Sequence, residues 1–284
     1  MPVPDDGVLV TDTSADSAIT GTWAWGNSVD PAVDERGRGQ ADLAPAAIAA
    51  FARQRRLGRV FCNAPWAANT PAMSGWLAAT VDGLTGLGVR VAALGGDRGW
   101  FDEPALAARW LTDARSAAGF TGVQLDVEPW AGETEPIDPG RLADGYLRLI
   151  DAVRAVAGPL LVGADLPWWL ARMPLADGTV FDPLVAELDS VAIVAFSDHA
   201  DGEGGIVDLA TPAVRAAEAS RTAFSIGVET DRPDVAGGAQ YTFFDEGQRV
   251  LESEAAKVRR AFSAVVGYEG VTVEHLLAWK NLRP

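Results

Sequence analysis

Short apolar runs alternate with helical patterns along most of this chain. Eight runs have the length and composition of buried strands: residues 19–25, 59–63, 90–94, 121–127, 160–164, 190–196, 223–228 and 271–275. Helical segments are predicted to begin near Pro45, Gly75, Pro104, Pro139, Pro212 and Glu246. Between the fifth and sixth strands only short helices fit, around residues 168–171 and 184–188. Eight strands separated by helical segments predict an α/β fold, the (β/α)8 TIM barrel.

The same pattern sets the expected domain organisation. A doubly wound sheet is the alternative, but no Gly-x-Gly-x-x-Gly or Gly-x4-Gly-Lys-Ser/Thr motif follows the first strand. We expect one barrel domain over residues 19–284, preceded by a flexible N-terminal leader over residues 1–18, which is rich in Asp, Ser, Pro and Gly. Nine residues follow His275, so the eighth helix is predicted to be short or missing.

Polar and apolar residues alternate along the fourth predicted strand. In the stretch 120–130, Val123, Leu125 and Val127 alternate with polar residues at positions 124, 126 and 128. Side chains on a strand point to opposite faces with a period of two, so Asp126 and Glu128 share one face. Two carboxylates at the end of an apolar strand are costly to bury, and crowded carboxylates shift one another's pKa into acid and base roles.

Carboxylates and tryptophans also follow most of the other predicted strands. The active sites of TIM barrels lie at the C-terminal ends of the strands, so these residues are candidates for a common pocket. An indole face suits the C–H face of a sugar or a positively charged intermediate. The candidates for substrate binding are Trp25, Trp66, Asp97, Trp130, Asp165, Trp168, Phe196 and Trp279. The further candidates for catalysis are Glu229 and Asp198.

Composition narrows the class of function. The 284 residues carry a formal net charge of −16, and such an acidic surface repels phosphate backbones and anionic lipids. We therefore expect no nucleic-acid partner and no membrane partner. The N-terminal residues lack the basic start and apolar core of a secretion signal, and the single cysteine, Cys62, excludes an internal disulfide. A cytoplasmic location is expected, and the oligomeric state is left open.

Around strand four the chain resembles the chitinase-like family 18 glycoside hydrolases. Their motif is Asp-Gly-x-Asp-x-Asp-x-Glu, and Gly122, Asp126 and Glu128 fall in register with it, while Thr121 and Gln124 replace two aspartates. The resemblance implies that Glu128 is the proton donor and that Asp126 orients it. It also implies that Trp279 forms the pocket floor and that Asp198 closes strand six. In that family a tyrosine occupies the position of Phe196.

A second resemblance is to the retaining glycosidases of the four-seven superfamily. They place an acid/base Glu after strand four and a nucleophilic Glu after strand seven, and Glu128-Pro129 and Glu229 occupy those places here. Carboxyl groups about 5 Å apart would suit retention of configuration, and about 6.5–9.5 Å would suit inversion.

The sequence thus predicts cleavage of a glycosidic bond in a small-molecule or oligosaccharide substrate by carboxylate acid/base catalysis. Two alternatives stay open. One is a sugar-binding barrel with altered catalysis, which the missing tyrosine and the two missing aspartates favour. The other is a lyase or cyclase that handles a carbocation between tryptophans. No cofactor is expected, although strand-end aspartates could hold Mg²⁺. The two histidines, His199 and His275, lack the spacing of a zinc site.

Overall fold

The computed structural model describes residues 17–34, 39–133 and 135–284. Eight parallel strands close into a barrel in chain order, and the last strand pairs with the first. The strands are β1 (Ile19–Ala24), β2 (Arg59–Asn63), β3 (Arg90–Gly95), β4 (Gly122–Leu125), β5 (Leu161–Pro167), β6 (Ser190–Val194), β7 (Ala223–Glu229) and β8 (Tyr268–Glu274). The predicted single-domain (β/α)8 barrel is confirmed. Of the predicted leader, residues 1–16 lie outside the described residues.

Helices surround the barrel between successive strands. The longer ones are α1 (Pro45–Arg55), α2 (Pro71–Thr85), α3 (Pro104–Ala117), α4 (Pro139–Ala157), α6 (Ile206–Ser220) and α8 (Gln248–Phe262). The shorter ones are α5 (Phe181–Ala186), α7 (Pro233–Ala236) and α9 (Leu276–Lys280). Since α9 has five residues and follows β8, the short eighth helix is also confirmed. Among the described residues, no helix combines the length and apolarity that crossing a lipid bilayer requires.

Two helices begin earlier than the sequence pattern predicts. Helix α2 begins at Pro71 rather than near Gly75, and α6 begins at Ile206 rather than near Pro212. Proline is the expected first residue of a helix, but Pro212 lies inside α6. The buried side chains of Ile206 and Leu209 precede this proline on the inner stripe of the helix. Their burial outweighs the cost of one missing backbone donor.

Apolar side chains pack both inside the barrel and between the barrel and the surrounding helices. Trp23, Phe61 and Leu94 pack together inside it, and the rings of Trp23 and Phe61 lie 5.3 Å apart. A larger apolar layer fills the space between the strands and the helices. The packed interior closes the barrel along its length, so a substrate can approach at the end where the strands have their carboxyl termini. We call this end the mouth.

Candidate active site

The fourth strand directs polar side chains into the barrel. β4 ends at Leu125, two residues earlier than predicted, and Asp126 and Glu128 follow in the loop. Gln124 is buried, and its side-chain amide donates a hydrogen bond of 2.7 Å to Asp165 Oδ1. Because side chains two residues apart share a face, Gln124 and Asp126 are directed to the same side, with Asp126 nearer the mouth.

Asp165 lies inside the barrel on the neighbouring strand β5. It is 3% exposed, and its Oδ2 atom accepts a second hydrogen bond of 2.9 Å from Trp23 Nε1. Burial, followed by the negative charge of Asp126, raises the pKa of Asp165 well above its ordinary value. The two hydrogen bonds and the charge of Arg59 act in the opposite direction and do not cancel this shift. Asp165 is therefore a carboxyl group that tends to hold a proton.

Two further carboxyl groups end the last two strands. Glu229 and Glu274 are the final residues of β7 and β8 and pair with each other in register. Glu229 Oε1 accepts hydrogen bonds from the backbone N–H groups of Thr230 (2.6 Å) and Asp231 (2.7 Å). Burial still raises the pKa of Glu229 to about 7. Trp25 Nε1 donates to Glu274 Oε1 over 3.2 Å.

Glu274 is a functional candidate that the sequence analysis missed. The sequence pattern predicts an eighth strand that ends at His275, and it assigns no role to the polar residue before it. The signal was present, because Thr272 and Glu274 alternate with Val271 and Val273 and so share the interior face. Burial, followed by the charge of Asp126 and then of Glu229, raises the pKa of Glu274 well above its ordinary value.

Asp126, Asp165, Glu229 and Glu274, which we call the carboxylate cluster, influence one another electrostatically. The charge of Asp126 raises the pKa of Asp165 and of Glu274. Burial, followed by the charge of Glu128, raises the pKa of Asp126 itself to about 7. Because β4 and β8 are four strands apart in a ring of eight, Asp126 and Glu274 approach from opposite walls. The cluster can thus hold protons near neutral pH and place negative charge around the barrel axis.

Glu128 lies at the rim of the mouth, above this cluster. Its side chain is exposed to solvent, yet the surrounding protein raises its pKa. A hydrogen bond with the Trp130 side chain lowers that pKa in part. A solvent-accessible carboxyl group with a raised pKa can both reach a bound molecule and deliver a proton to it.

A cavity of about 320 Å³ opens beside the cluster, at the ends of β1, β2 and β3. Its lining includes Trp25, Asn63, Trp66, Asp97 and Trp100. Trp66 Nε1 donates to Asp97 Oδ2 over 3.3 Å, and the Trp66 ring meets that of Trp100 edge to face at 5.8 Å. We call this space the aromatic cavity. Trp25 connects it directly to the cluster, since the same indole donates to Glu274.

The aromatic cavity and the cluster meet at Gly96. A Cβ atom at this position would lie 1.9 Å from the backbone oxygen of Asp126, which is closer than any two such atoms can approach. The backbone N–H of Asp126 also donates to the carbonyl of Gly95 over 3.0 Å. The absence of a side chain at Gly96 therefore lets the loop that carries Asp126 and Glu128 pack against β3.

Replacing Gly96 by alanine is expected to lower the free energy of unfolding by about 2–3 kcal/mol, because the new methyl group displaces backbone rather than a flexible side chain. Gly75 in α2 is the matched control, since a Cβ there would meet no atom within 4 Å. Gly75→Ala should raise the stability by about 0.5–1 kcal/mol. Urea denaturation of both variants measures the difference. A Gly96→Ala protein as stable as the wild type would contradict this packing.

Trp130 and Trp168 follow the ends of β4 and β5 and lie outside the aromatic cavity. The Trp130 ring packs edge to face on that of Trp169, with 4.8 Å between centroids. Trp168 begins a short helix (Trp168–Arg172), and the Arg172 guanidinium lies 4.7 Å from its ring centroid. One face of Trp168 is therefore occupied by Arg172, and Trp130 is tied to the loop of Glu128.

The residues after β6 have other partners. Asp198 lies 2.5 Å from His199 Nδ1, and its backbone N–H donates to the carbonyl of Gln240. Its charge acts on Glu246 rather than on the carboxylate cluster. Phe196 is partly buried two residues beyond the end of β6. The structure thus brings Asp126, Asp165 and Glu229 into one group, whereas the Asp198 carboxyl group contacts His199.

Trp279 lies on the outer wall of the barrel, not on the pocket floor that the resemblance implied. It is 2% exposed, its ring packs edge to face on Phe51 of α1 at 5.1 Å, and its indole N–H donates to Gln248 of α8. The reason is the turn of the chain after β8, where α9 folds back between the first and last long helices. Trp25, at the end of β1, takes the place beside the cluster instead.

Hydrogen-bond donors surround the oxygen atoms of the carboxylate cluster. Within the part of the chain that the structure describes, no group of three or more His, Cys, Asp or Glu side chains could hold a metal. The cluster oxygens accept hydrogen bonds from two indoles, a side-chain amide and two backbone N–H groups. This arrangement can store protons and stabilise a cation.

Comparisons with known proteins relate the chain to others through its fold. No protein-family model matches it, and no curated protein sequence matches it. The barrel is similar to concanavalin B, with a TM-score of 0.53 and 11% identity over 93% of this chain and 95% of that chain. It is similar to a chitinase from Rhizomucor miehei, with a TM-score of 0.50 and 15% identity over 78% and 89% of the two chains.

A glucosidase from Croceicoccus marinus is also similar, with a TM-score of 0.51 and 14% identity over 91% of this chain and 60% of that chain. At these identities the likeness shows the fold alone. The structural neighbours of this barrel include chitinases and other TIM-barrel glycosidases, while the resemblance to family 18 stays a prediction.

Proposed function

We propose that this protein is a glycoside hydrolase that cleaves a glycosidic bond by carboxylate acid/base catalysis. One observation supports the proposal above all: carboxyl groups from β4, β5, β7 and β8 converge at the mouth, beside a cavity walled by tryptophans. Glycosidases use two carboxyl groups around an oxocarbenium-like transition state, one to donate a proton and one to oppose the positive charge.

Glu128 is the proton donor in this proposal. It is a solvent-accessible carboxyl group that follows β4, and its raised pKa keeps a fraction of it protonated nearer to neutral pH. Asp126 precedes it by two residues, and the like charge of Glu128 disfavours ionisation of Asp126. A general acid works best when its pKa lies near the working pH, and such a group contributes about 10²–10⁴-fold to the rate.

Glu229 and Glu274 act on the opposite side of the reacting sugar. As the proton moves from Glu128 to the glycosidic oxygen, the bond to the anomeric carbon breaks and positive charge develops there. Ionised Glu229 can oppose that charge, while the two backbone N–H groups hold its carboxylate in place. Glu274, held by Trp25, places a second carboxyl group on the adjoining strand beside Glu229. Of the two alternatives considered for this role, the contacts favour Glu229 over Asp198.

The aromatic cavity provides the binding surface for a sugar. The Trp25 and Trp66 indoles can contact the C–H face of a pyranose, while Asn63 and Asp97 can exchange hydrogen bonds with its hydroxyl groups. A cavity of about 320 Å³ is at the small end of the range for ligand sites, which suits one or two sugar rings.

The proposal is tested with a panel of aryl glycosides and of chito- and gluco-oligosaccharides, followed by product release and, separately, by binding. We expect release from at least one sugar, with a rate that falls as the pH rises through the raised pKa of Glu128 and the acid loses its proton. Saturable binding of an oligosaccharide without any product would instead indicate a sugar-binding barrel. Neither binding nor release across the panel would reject the proposed function.

A further inference from the structure

A second cavity is lined by residues that follow β4 and β5, and its walls are apolar. It has a volume of about 250 Å³ and is lined by Trp130, Pro136, Ile137, Leu142, Trp169 and Met173. None of these six described side chains is charged. We call it the apolar cavity. It lies between the loop that follows β4 and the short helix that follows β5, so it opens at the same end of the barrel as the carboxylate cluster.

The apolar cavity is connected to the candidate acid through one side chain. Trp130 forms part of its wall, follows Glu128 by two residues and hydrogen-bonds the Glu128 carboxyl group. The edge-to-face contact with Trp169 holds this indole in position. A group that occupies the apolar cavity would therefore end close to the carboxyl group that we propose as the proton donor.

The two cavities differ in chemistry and lie at different parts of the mouth. The aromatic cavity is built at the ends of β1 to β3 and presents Asn63 and Asp97 along with its indoles. The apolar cavity is built at the ends of β4 and β5 and presents aliphatic, thioether and aromatic groups. Asp126 and Glu128 lie between them in chain order. One substrate that fills both cavities needs a polar half and an apolar half joined at the reacting bond.

We propose that the apolar cavity binds the leaving group of the substrate, and that the substrate is a glycoside of an aromatic or branched aliphatic alcohol. This inference rests on the proposed function and adds the substrate class to it. A dry apolar cavity of about 150 Å³ is enough to bind benzene, so this larger one accommodates a one- or two-ring aglycone. Polar sugar units would leave their hydroxyl groups without partners here, which is costly.

The reaction with such a substrate is a hydrolysis. Glu128 transfers its proton to the glycosidic oxygen, the bond from that oxygen to the anomeric carbon breaks, and the alcohol leaves with the proton. Water then supplies a hydroxyl group to the anomeric carbon and returns one proton to the carboxylate. The products are a free sugar and the apolar alcohol, and no oxidant or further reactant is needed.

Filling the cavity tests the inference. Met173→Trp adds an indole inside it, Ile137→Asp adds a charge from its partly buried loop position, and Val266→Trp adds an indole at a site that is 66% exposed, in the loop before β8 at the opposite end of the barrel. Circular dichroism establishes that each variant is folded. The assays are binding of 2-naphthol by equilibrium dialysis, and kcat/KM for 2-naphthyl glycosides against the matching methyl glycosides.

Both cavity variants are expected to weaken 2-naphthol binding and to lower kcat/KM for the naphthyl glycoside by about tenfold or more relative to the methyl glycoside. Val266→Trp should change neither quantity. Hydrolysis whose naphthyl-to-methyl ratio is unchanged in both cavity variants would overturn the inference and leave the proposed function standing. Binding of 2-naphthol that both variants abolish, without hydrolysis of any glycoside, would support the apolar site and remove the proposed function.

Discussion

Glu128→Gln is expected to lower kcat by at least about 100-fold on glycosides with poor leaving groups. Glutamine has nearly the shape of glutamate but no proton to donate, so the glycosidic oxygen would leave as an unprotonated alkoxide. Because Glu128 is exposed at the rim, the substitution should leave the free energy of unfolding within about 0.5 kcal/mol of the wild type.

The leaving group separates loss of an acid from a structural effect. A 2,4-dinitrophenyl glycoside needs little protonation, so Glu128→Gln should slow its cleavage much less than that of a methyl or unactivated aryl glycoside. Glu135→Gln is the matched control, since Glu135 is an exposed carboxylate on the same loop. Its activity should equal that of the wild type. Undiminished turnover of Glu128→Gln on the poor leaving groups would reject Glu128 as the acid.

The protein is expected to lose stability as the pH rises from about 4 to 8, which is the second large effect. Asp126 and Glu229 have pKa values of about 7 in the folded state, against ordinary values of 3.8 and 4.5. Between these limits the folded protein binds more protons than the unfolded chain, so the free energy of unfolding falls with rising pH. The contribution is complete below about pH 4 and is lost as the pH passes through 7.

One pKa unit corresponds to about 1.4 kcal/mol, so each group can contribute about 2–4 kcal/mol after allowance for the solvent that reaches Asp126. Since the carboxyl groups interact, the contributions do not simply add. We expect a total decrease of at least about 3 kcal/mol across this range. Urea denaturation at a series of pH values measures it.

One variant, Glu229→Gln, and one control carboxyl group, Glu269, make the pH dependence specific to the cluster. Glu229→Gln keeps an oxygen acceptor for the two backbone N–H groups and cannot ionise, so it should be more stable than the wild type at pH 8 and should flatten the curve. Glu269 is the control with the opposite sign. Burial alone would raise its pKa, but Arg59 and Arg90 bring it below the ordinary value. Its contribution is present above its unfolded pKa and is lost below about pH 4, outside the window.

A wild-type curve that is flat or that rises between pH 5 and 8 would show that the cluster does not retain protons. An unchanged slope in Glu229→Gln would remove Glu229 from the effect.

The barrel could be predicted from the sequence because its signal is repeated. Each strand is a short apolar run, and the alternation with helices requires nothing beyond local pattern. The predicted ends of the elements were less accurate. Strands β4 and β6 each end two residues earlier than predicted, because the end of a strand depends on its hydrogen-bond pairing with the neighbouring strands. The early start of α6 reflects burial of Ile206 and Leu209, which outweighs the local effect of Pro212.

The candidate site was predictable where chemistry and strand ends coincide. Asp126, Asp165 and Glu229 were predicted because each is a carboxylate near the carboxyl end of a predicted strand. The structure brings the three residues together. Glu274 was not predicted, because the predicted strand extends to His275 and so places the histidine, not the glutamate, at the strand end. The location of Trp279 was not predictable, since the direction in which a chain turns after its last strand depends on packing against distant helices.

The apolar cavity was also beyond the reach of the sequence. Trp130 was a candidate, but Ile137, Leu142 and Met173 are ordinary apolar residues in separate segments. Their common role arises from the way the loops after β4 and β5 fold against each other. Residue type and spacing along the chain do not predict how these loops pack.

The proposed site requires that carboxyl groups from separate strands hold protons near neutral pH, and this can be measured without a substrate. A ¹³C-detected NMR titration of the Asp and Glu carboxyl groups, repeated in Asp126→Asn and Glu229→Gln, reports each proton directly. We predict at least two groups that titrate near pH 7, one of which disappears in each variant. If every carboxyl group of the wild type titrates below about pH 5, within the ordinary range of exposed Asp and Glu, the proposed site is contradicted.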